Sequence, residues 1–98
     1  MAQFDVHSID GHGLVVNCQS DLLSNLRSRV VAPLRKPDEP SVSQSRLNPL
    51  VTVHHTEYRV AVQFLRAVDS RQLGEKIGSL LEYEYELKAA IDMVVSGL

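Results

Sequence analysis

The sequence predicts a mainly β domain closed by one C-terminal α-helix, a compact antiparallel barrel of about five short strands. Three observations carry this expectation. Glu57 to Phe64 alternates apolar and polar residues, the period of a strand with one buried face. Several other short runs rich in β-branched residues are separated by turn-forming residues. From Leu80 to Leu98 the apolar residues instead step by three or four, the period of a helix.

At the N-terminus, Ala2, Phe4 and Val6 alternate with polar neighbours and predict a first strand. Asp10-Gly11-His12-Gly13 is a turn signal, and Leu14-Val15-Val16-Asn17-Cys18 completes a predicted hairpin. Gln19 to Asn25 reads as a polar connection. Arg27 to Leu34 is the next strand, and Pro33 places it at an edge or a strand end, because proline cannot donate to a ladder. Residues 35–48 hold two prolines near their start, three serines and a mixture of charges, and predict an exposed, mobile loop. Leu50 to His54 and Glu57 to Phe64 form a second hairpin around His54-His55-Thr56, with Tyr58, Val60, Val62 and Phe64 on one face. Ala67 to Leu73 fits a short strand or a turn of helix. Ser79-Leu80-Leu81-Glu82 has the form of a capping box. Leu80, Tyr83, Leu87, Ile91, Val94 and Leu98 make the helix stripe, Glu84 and Lys88 pair across one turn, and Ser96-Gly97 ends the helix.

The 98 residues fit one domain, spanning 1–98. They are 44% hydrophobic and 22% charged, which excludes wholesale disorder. No run approaches the ~18 apolar residues of a membrane span. The start, Met1 to Asp5, lacks the basic and apolar regions of a secretory signal, and a lone thiol, Cys18, cannot form an internal disulfide. Both lead us to expect a cytoplasmic protein with no membrane partner. The formal charge of −2 disfavours direct, non-specific binding to nucleic acid.

No residue pattern marks a catalytic site, a cofactor fingerprint or a metal site. His54 and His55 are adjacent and point to opposite faces of a strand. His7 and His12 flank a turn, and two ligands alone make a poor site. All four histidines are therefore expected at the surface or in turns. Cys18, in a valine-rich strand, is expected to be buried and inert. Ser20-Asp21 fits a cap or turn. Arg27 and Arg29 share a face of their predicted strand and either hold an anion or form a solvated face. A binding protein is the better class than an enzyme.

Several stretches resemble the CcdB family of bacterial toxins. They are Phe4-Asp5-Val6, Val16 to Leu23, Arg29-Val30-Val31-Ala32-Pro33-Leu34 and Glu86 to Leu98, with Leu47 to Val51 and Gly74 to Ile77 in order between them. The resemblance implies an SH3-like barrel with a small accessory sheet. It implies a homodimer with the helix ends near the two-fold axis, a cognate antitoxin as partner, and the DNA gyrase A subunit as target. DNA would be met only indirectly, through these partners. The resemblance also implies no catalytic activity. It places the gyrase contact at Ser96, Gly97 and Leu98, where the family's gyrase poison ends in Trp-Gly-Ile, so Ser96 stands where that protein has its tryptophan.

The apolar run Met93-Val94-Val95 is the expected dimer interface, since it exceeds what one helix needs to pack on its own barrel. The loop is long for so small a domain, and the resemblance implies an antitoxin-facing surface after Leu34, so the antitoxin contact is expected at Asp38, Glu39, Ser41, Val42 and Ser43. Two alternatives remain. One is an interaction module of the same fold that binds an antitoxin without poisoning gyrase. The other is an endoribonuclease toxin, which would need a positioned base and acid over a basic groove.

Overall fold

The computed structural model describes residues 1–10 and 13–97. Seven strands and one helix follow in chain order. They are β1 (Asp5–Ile9), β2 (Leu14–Asn17), β3 (Ser28–Arg35), β4 (Leu50–Val53), β5 (Thr56–Val60), β6 (Arg66–Asp69), β7 (Leu73–Ser79) and α1 (Glu84–Ser96). All pairings are antiparallel, and together they make a curled half-barrel.

The spatial order is β4-β5-β3-β2-β1-β7, with β6 also on β3. β3 is therefore the hub, not the edge that Pro33 suggested. Cys18 N–H donates to Val30 C=O in the β2–β3 ladder, and the antiparallel alternation turns the nitrogen of Pro33 away from β2. On its other side β3 changes partner. β6 pairs with it through Val31 and β5 from Leu34. Pro33 sits at that changeover, where its carbonyl accepts from Ala61 N–H at 2.9 Å and no donor is needed. The β4–β5 hairpin and the end of β3 form the small accessory sheet.

The core follows from the alternation along β1, β2 and β3. Val6, Val16 and Ala32 share one face and pack with Val51, Val60, Leu80 and Leu87. Val15, Val31 and Ile9 point the other way and pack with Val68. Full burial of a side chain such as Leu87 or Val16 contributes about 1.5–3 kcal/mol, so both faces of the central strands stabilise the fold.

Several expectations need correction. β7 was not predicted, and the strand count is seven. β5 stops at Val60. Val62–Phe64 is a single 3₁₀ turn, so Phe64 is exposed instead of sharing the face of Tyr58. The first strand starts at Asp5, and Phe4 adopts a positive φ of 70° just before it while lying fully buried. The His54-His55 turn is as expected. Both residues take positive φ, as a tight hairpin turn with right-handed strand twist demands. His7, expected at the surface, is buried, and its Nδ1 lies 3.0 Å from the Gly74 carbonyl. Gly11 and His12 of the first turn lie outside the described residues.

The helix starts later than Ser79 suggested. Ser79 Oγ accepts from Leu81 N–H at 3.2 Å and opens a 3₁₀ turn at Leu81–Tyr83. α1 then begins at Glu84. Leu87 and Ala90 are its fully buried residues, and the Glu84–Lys88 pair forms at 2.9 Å. The buried stripe ends near Ile91, because Val94 is already exposed. Gly97 closes the helix in the left-handed region, φ 76°, its N–H donating to Met93 C=O.

Candidate functional site

The exposed end of α1 carries the first group of predicted residues. Beyond Ile91 no described residue of α1 is fully buried. Met93 is half-buried, while Val94 and Val95 are 40% and 73% exposed. Ser96 and Gly97 follow, both exposed. Leu98 lies outside the described residues. The structure thus brings Met93, Val94, Val95, Ser96 and Gly97 together on one free apolar end. Two exposed valines next to a helix terminus are the kind of surface that a partner covers.

A groove of about 560 Å³ lies between the same helix and the end of the long loop with β4 and β5. Its apolar floor is Pro49, Leu50, Ala89 and Met93, with Tyr85 beside them. Arg46 and Arg59 stand on one wall, Glu86 and Asp92 on the other. Met93 belongs to both this groove and the helix end, so the two surfaces are continuous. Tyr85 and Leu50 were not picked out from the sequence. The available signal was an aromatic residue off the helix stripe, since Tyr85 falls between the half-buried Tyr83 and the buried Leu87.

The loop after β3 is built differently from the mobile connector that its composition suggested. Val42 is fully buried at the end of a 3₁₀ turn, Pro40–Val42. Asn48 is also fully buried. Its Nδ2 donates to Val60 C=O at 3.1 Å and to Gln63 Oε1 at 2.6 Å, and its backbone carbonyl accepts from Arg59 Nη1 at 2.8 Å. Gln63 Nε2 in turn donates to Ser41 C=O. The loop is therefore pinned at its middle and at its far end. Of the predicted antitoxin-facing residues, Asp38, Glu39, Ser41 and Ser43 remain accessible. Val42 is a core residue and leaves the surface set.

Arg27 and Arg29 do not act as a pair. Arg27 is exposed and reaches Asp69 at 3.4 Å. Arg29 is buried, and its guanidinium donates to the carbonyls of Ser24, Leu26 and Ser28. That guanidinium fastens the turn ahead of β3 and has few donors left for an anion. The turn presents Leu22, Leu23 and Leu26 to solvent, with Leu22 91% exposed. Ser20 caps its 3₁₀ segment as expected, while the Asp21 carboxylate accepts from the distant Gln3 N–H and ties the segment to the N-terminus. Cys18 is buried as expected, and that burial pushes its thiol up to about 12. Asp69 is held well below the usual carboxylate range by hydrogen bonds from Arg71. Among the described residues no three His, Cys, Asp or Glu side chains converge as metal ligands.

The family model for CcdB protein matches residues 3–97, nearly the whole chain. The chain belongs to the CcdB family. CcdB membership supports a toxin of a toxin–antitoxin system. No curated protein matches the sequence. Among solved structures, an endoribonuclease in complex with its cognate antitoxin from a mycobacterial species superposes with a TM-score of 0.81 at 12% identity, covering 100% of this chain and 96% of that one. A second mycobacterial endoribonuclease gives 0.79 at 12% identity, covering 100% and 92%. The Mycobacterium tuberculosis toxin MazF-mt6 gives 0.76 at 19% identity, covering 93% and 95%. At such identities the likeness of this CcdB-family chain to those proteins is one of fold.

Proposed function

We propose that the protein is a toxin that inhibits DNA gyrase by binding its A subunit, acting by contact and without catalysis. The observation that carries this reading is the free end of α1, where exposed Val94, Val95, Ser96 and the left-handed Gly97 project beyond the last buried turn. A tip of this kind can enter a crevice on another protein without disturbing the core beneath it. The family resemblance supplies the target. Where the family's gyrase poison presents an indole, Ser96 presents a hydroxyl, so the contact rests on Gly97, Leu98 and the valines behind them. Aromatic anchors often dominate interfaces, and losing one costs about 2 kcal/mol or more.

The active form in this proposal is a homodimer, with Met93, Val94 and Val95 at or near the two-fold axis and two tips side by side. Its antidote is a cognate antitoxin that meets Asp38, Glu39, Ser41 and Ser43. A fold neighbour found in complex with its cognate antitoxin supports such a partner. Gyrase places the toxin in the cytoplasm.

The endoribonuclease reading draws on the fold neighbours, two of them described as endoribonucleases. Against it, the buried Arg29 is committed to carbonyls, and the net charge is unfavourable for a polyanion. Purified gyrase incubated with the protein, ATP and supercoiled plasmid should accumulate cleaved DNA, while total RNA incubated beside it stays intact. RNA cleavage without gyrase inhibition would establish the nuclease instead. Neither activity, with antitoxin binding retained, would leave an interaction module.

A further inference from the structure

We propose that the corner where β3 meets β5 and β6 is a carboxylate-binding site, in which Arg35 and Arg66 hold an acidic residue of a peptide segment. The antitoxin is the expected bearer of that segment, and this identification alone rests on the toxin reading above.

The first observation is a repulsion built into the sheet. Arg35 of β3 lies directly opposite Arg59 of β5 in the antiparallel ladder. Like charges at such positions destabilise a strand pair. Arg59 is partly relieved by donating to Asn48 C=O. Arg35 has a single weak counter-charge, Glu39, at 3.7 Å, and its guanidinium lies 5.5 Å from the centre of the Phe64 ring, which helps fix its plane. Most of the hydrogen-bond donors of Arg35 are therefore unspent.

The second observation is a pocket. A cavity of about 300 Å³ opens beside Arg35, walled by Ile9, Leu14, Val15 and Leu34 and flanked by Arg66. Arg66 stands opposite Val31 in the β3–β6 ladder, and Val31, Pro33 and Arg35 share a strand face, so both arginines reach the same cavity. Among the described residues no carboxylate lines it. Arg66 is exposed and pairs with no acid among the described residues. Two guanidiniums lining one cavity match the geometry of a carboxylate, which an arginine can bind bidentately.

A single carboxylate fits better than a nucleic-acid backbone. The chain as a whole carries a formal net charge of −2. That balance disfavours a chain of phosphates, whereas an isolated acid on a peptide brings a single charge to the two arginines.

The test is an NMR titration of the full chain, reading the arginine Nε–H resonances. The probes are N-acetyl-Leu-Glu-Leu-amide, its Gln counterpart and a dodecamer of uridylate. The Glu peptide should shift Arg35 and Arg66 saturably, and the Gln peptide should not. Arg35→Gln and Arg66→Gln should each weaken the Glu peptide about three- to tenfold. Glu39→Gln, which removes the resident competitor, should tighten binding about two- to threefold. The peptide comparison on the unaltered protein stands even where a variant misfolds. Equal response to both peptides, or no saturable shift at either arginine, would overturn the proposal. Tighter binding of the oligonucleotide would also overturn it and make the corner a nucleic-acid surface. None of these outcomes depends on gyrase.

Discussion

Replacing Asn48 tests how the long loop is held. Its side chain donates to Val60 C=O and to Gln63 Oε1, and the residue is fully buried. Each such bond contributes about 0.5–1.5 kcal/mol net, so Asn48→Ala removes about 1–3 kcal/mol. One feature moderates that loss. Asn48 Oδ1 is itself buried without a partner, and the alanine variant no longer has to bury it. Asn48→Asp is the sharper perturbation. It loses both donors and sets a carboxylate against the Val60 carbonyl and Gln63 Oε1. Leaving a buried charge uncompensated costs about 3–5 kcal/mol. In a domain of this size each kcal/mol lowers the midpoint of thermal unfolding by about 4–8 °C. Urea unfolding followed by circular dichroism should therefore rank wild type above Asn48→Ala and Asn48→Ala above Asn48→Asp, at unchanged slope. An aspartate variant as stable as the alanine variant would show that Asn48 does not lock the loop through its donors.

Other outcomes follow from the same geometry. Val42→Ala should cost about 2 kcal/mol in the same assay, because it empties a fully buried position within a loop of surface composition. For the same reason, replacing residues 38–45 with a Gly-Ser linker should destabilise the fold as well as weaken antitoxin binding. Cys18 should resist iodoacetamide at pH 8 in the native protein and react on unfolding. Burial raises its folded pKa above the unfolded value of 9.0, so its contribution to stability is complete below pH 9 and is lost as pH rises toward about 12. A native protein alkylated as fast as the unfolded chain would contradict the buried placement. Ser96→Trp should increase gyrase cleavage complexes, and a folded, dimeric variant with no gain would count against the tip.

The sequence made the hairpins and the helix legible because their local signals agree with their environment. β4 and β5 alternate cleanly and meet at a two-residue turn. Leu87, Ala90 and Ile91 fall where helical spacing puts a buried stripe. β7 was hidden because it is an edge strand with mostly exposed residues, and its Gly74 and Gly78 look like breakers. At Gly74 a Cβ would lie 2.3 Å from Ser8 Oγ, so that glycine marks close strand approach. Pro33 signals an edge or a strand end, and it lies two residues before the end of β3, where this central strand changes partner. Buried polar residues were the least visible. His7, Arg29 and Asn48 are hydrophilic by type, and only the tertiary carbonyls around them show why they lie inside. The groove at Tyr85 and Leu50 was missed because it joins a helix face to a loop end far apart in sequence. The left-handed Gly97 that closes α1 was legible because a glycine after a helical stripe is a local signal.

The most direct measurement is calorimetric titration of the purified gyrase A subunit with the full chain and with a variant ending at Val95. The deletion removes residues beyond the last buried helical position, so the truncated protein should keep its native spectrum. The full chain should bind at one toxin dimer per A-subunit dimer, and the truncated chain should show no heat of binding. Undiminished binding by a folded, truncated protein, or no binding by the full chain, would contradict the claim that the end of α1 is the toxin's working surface.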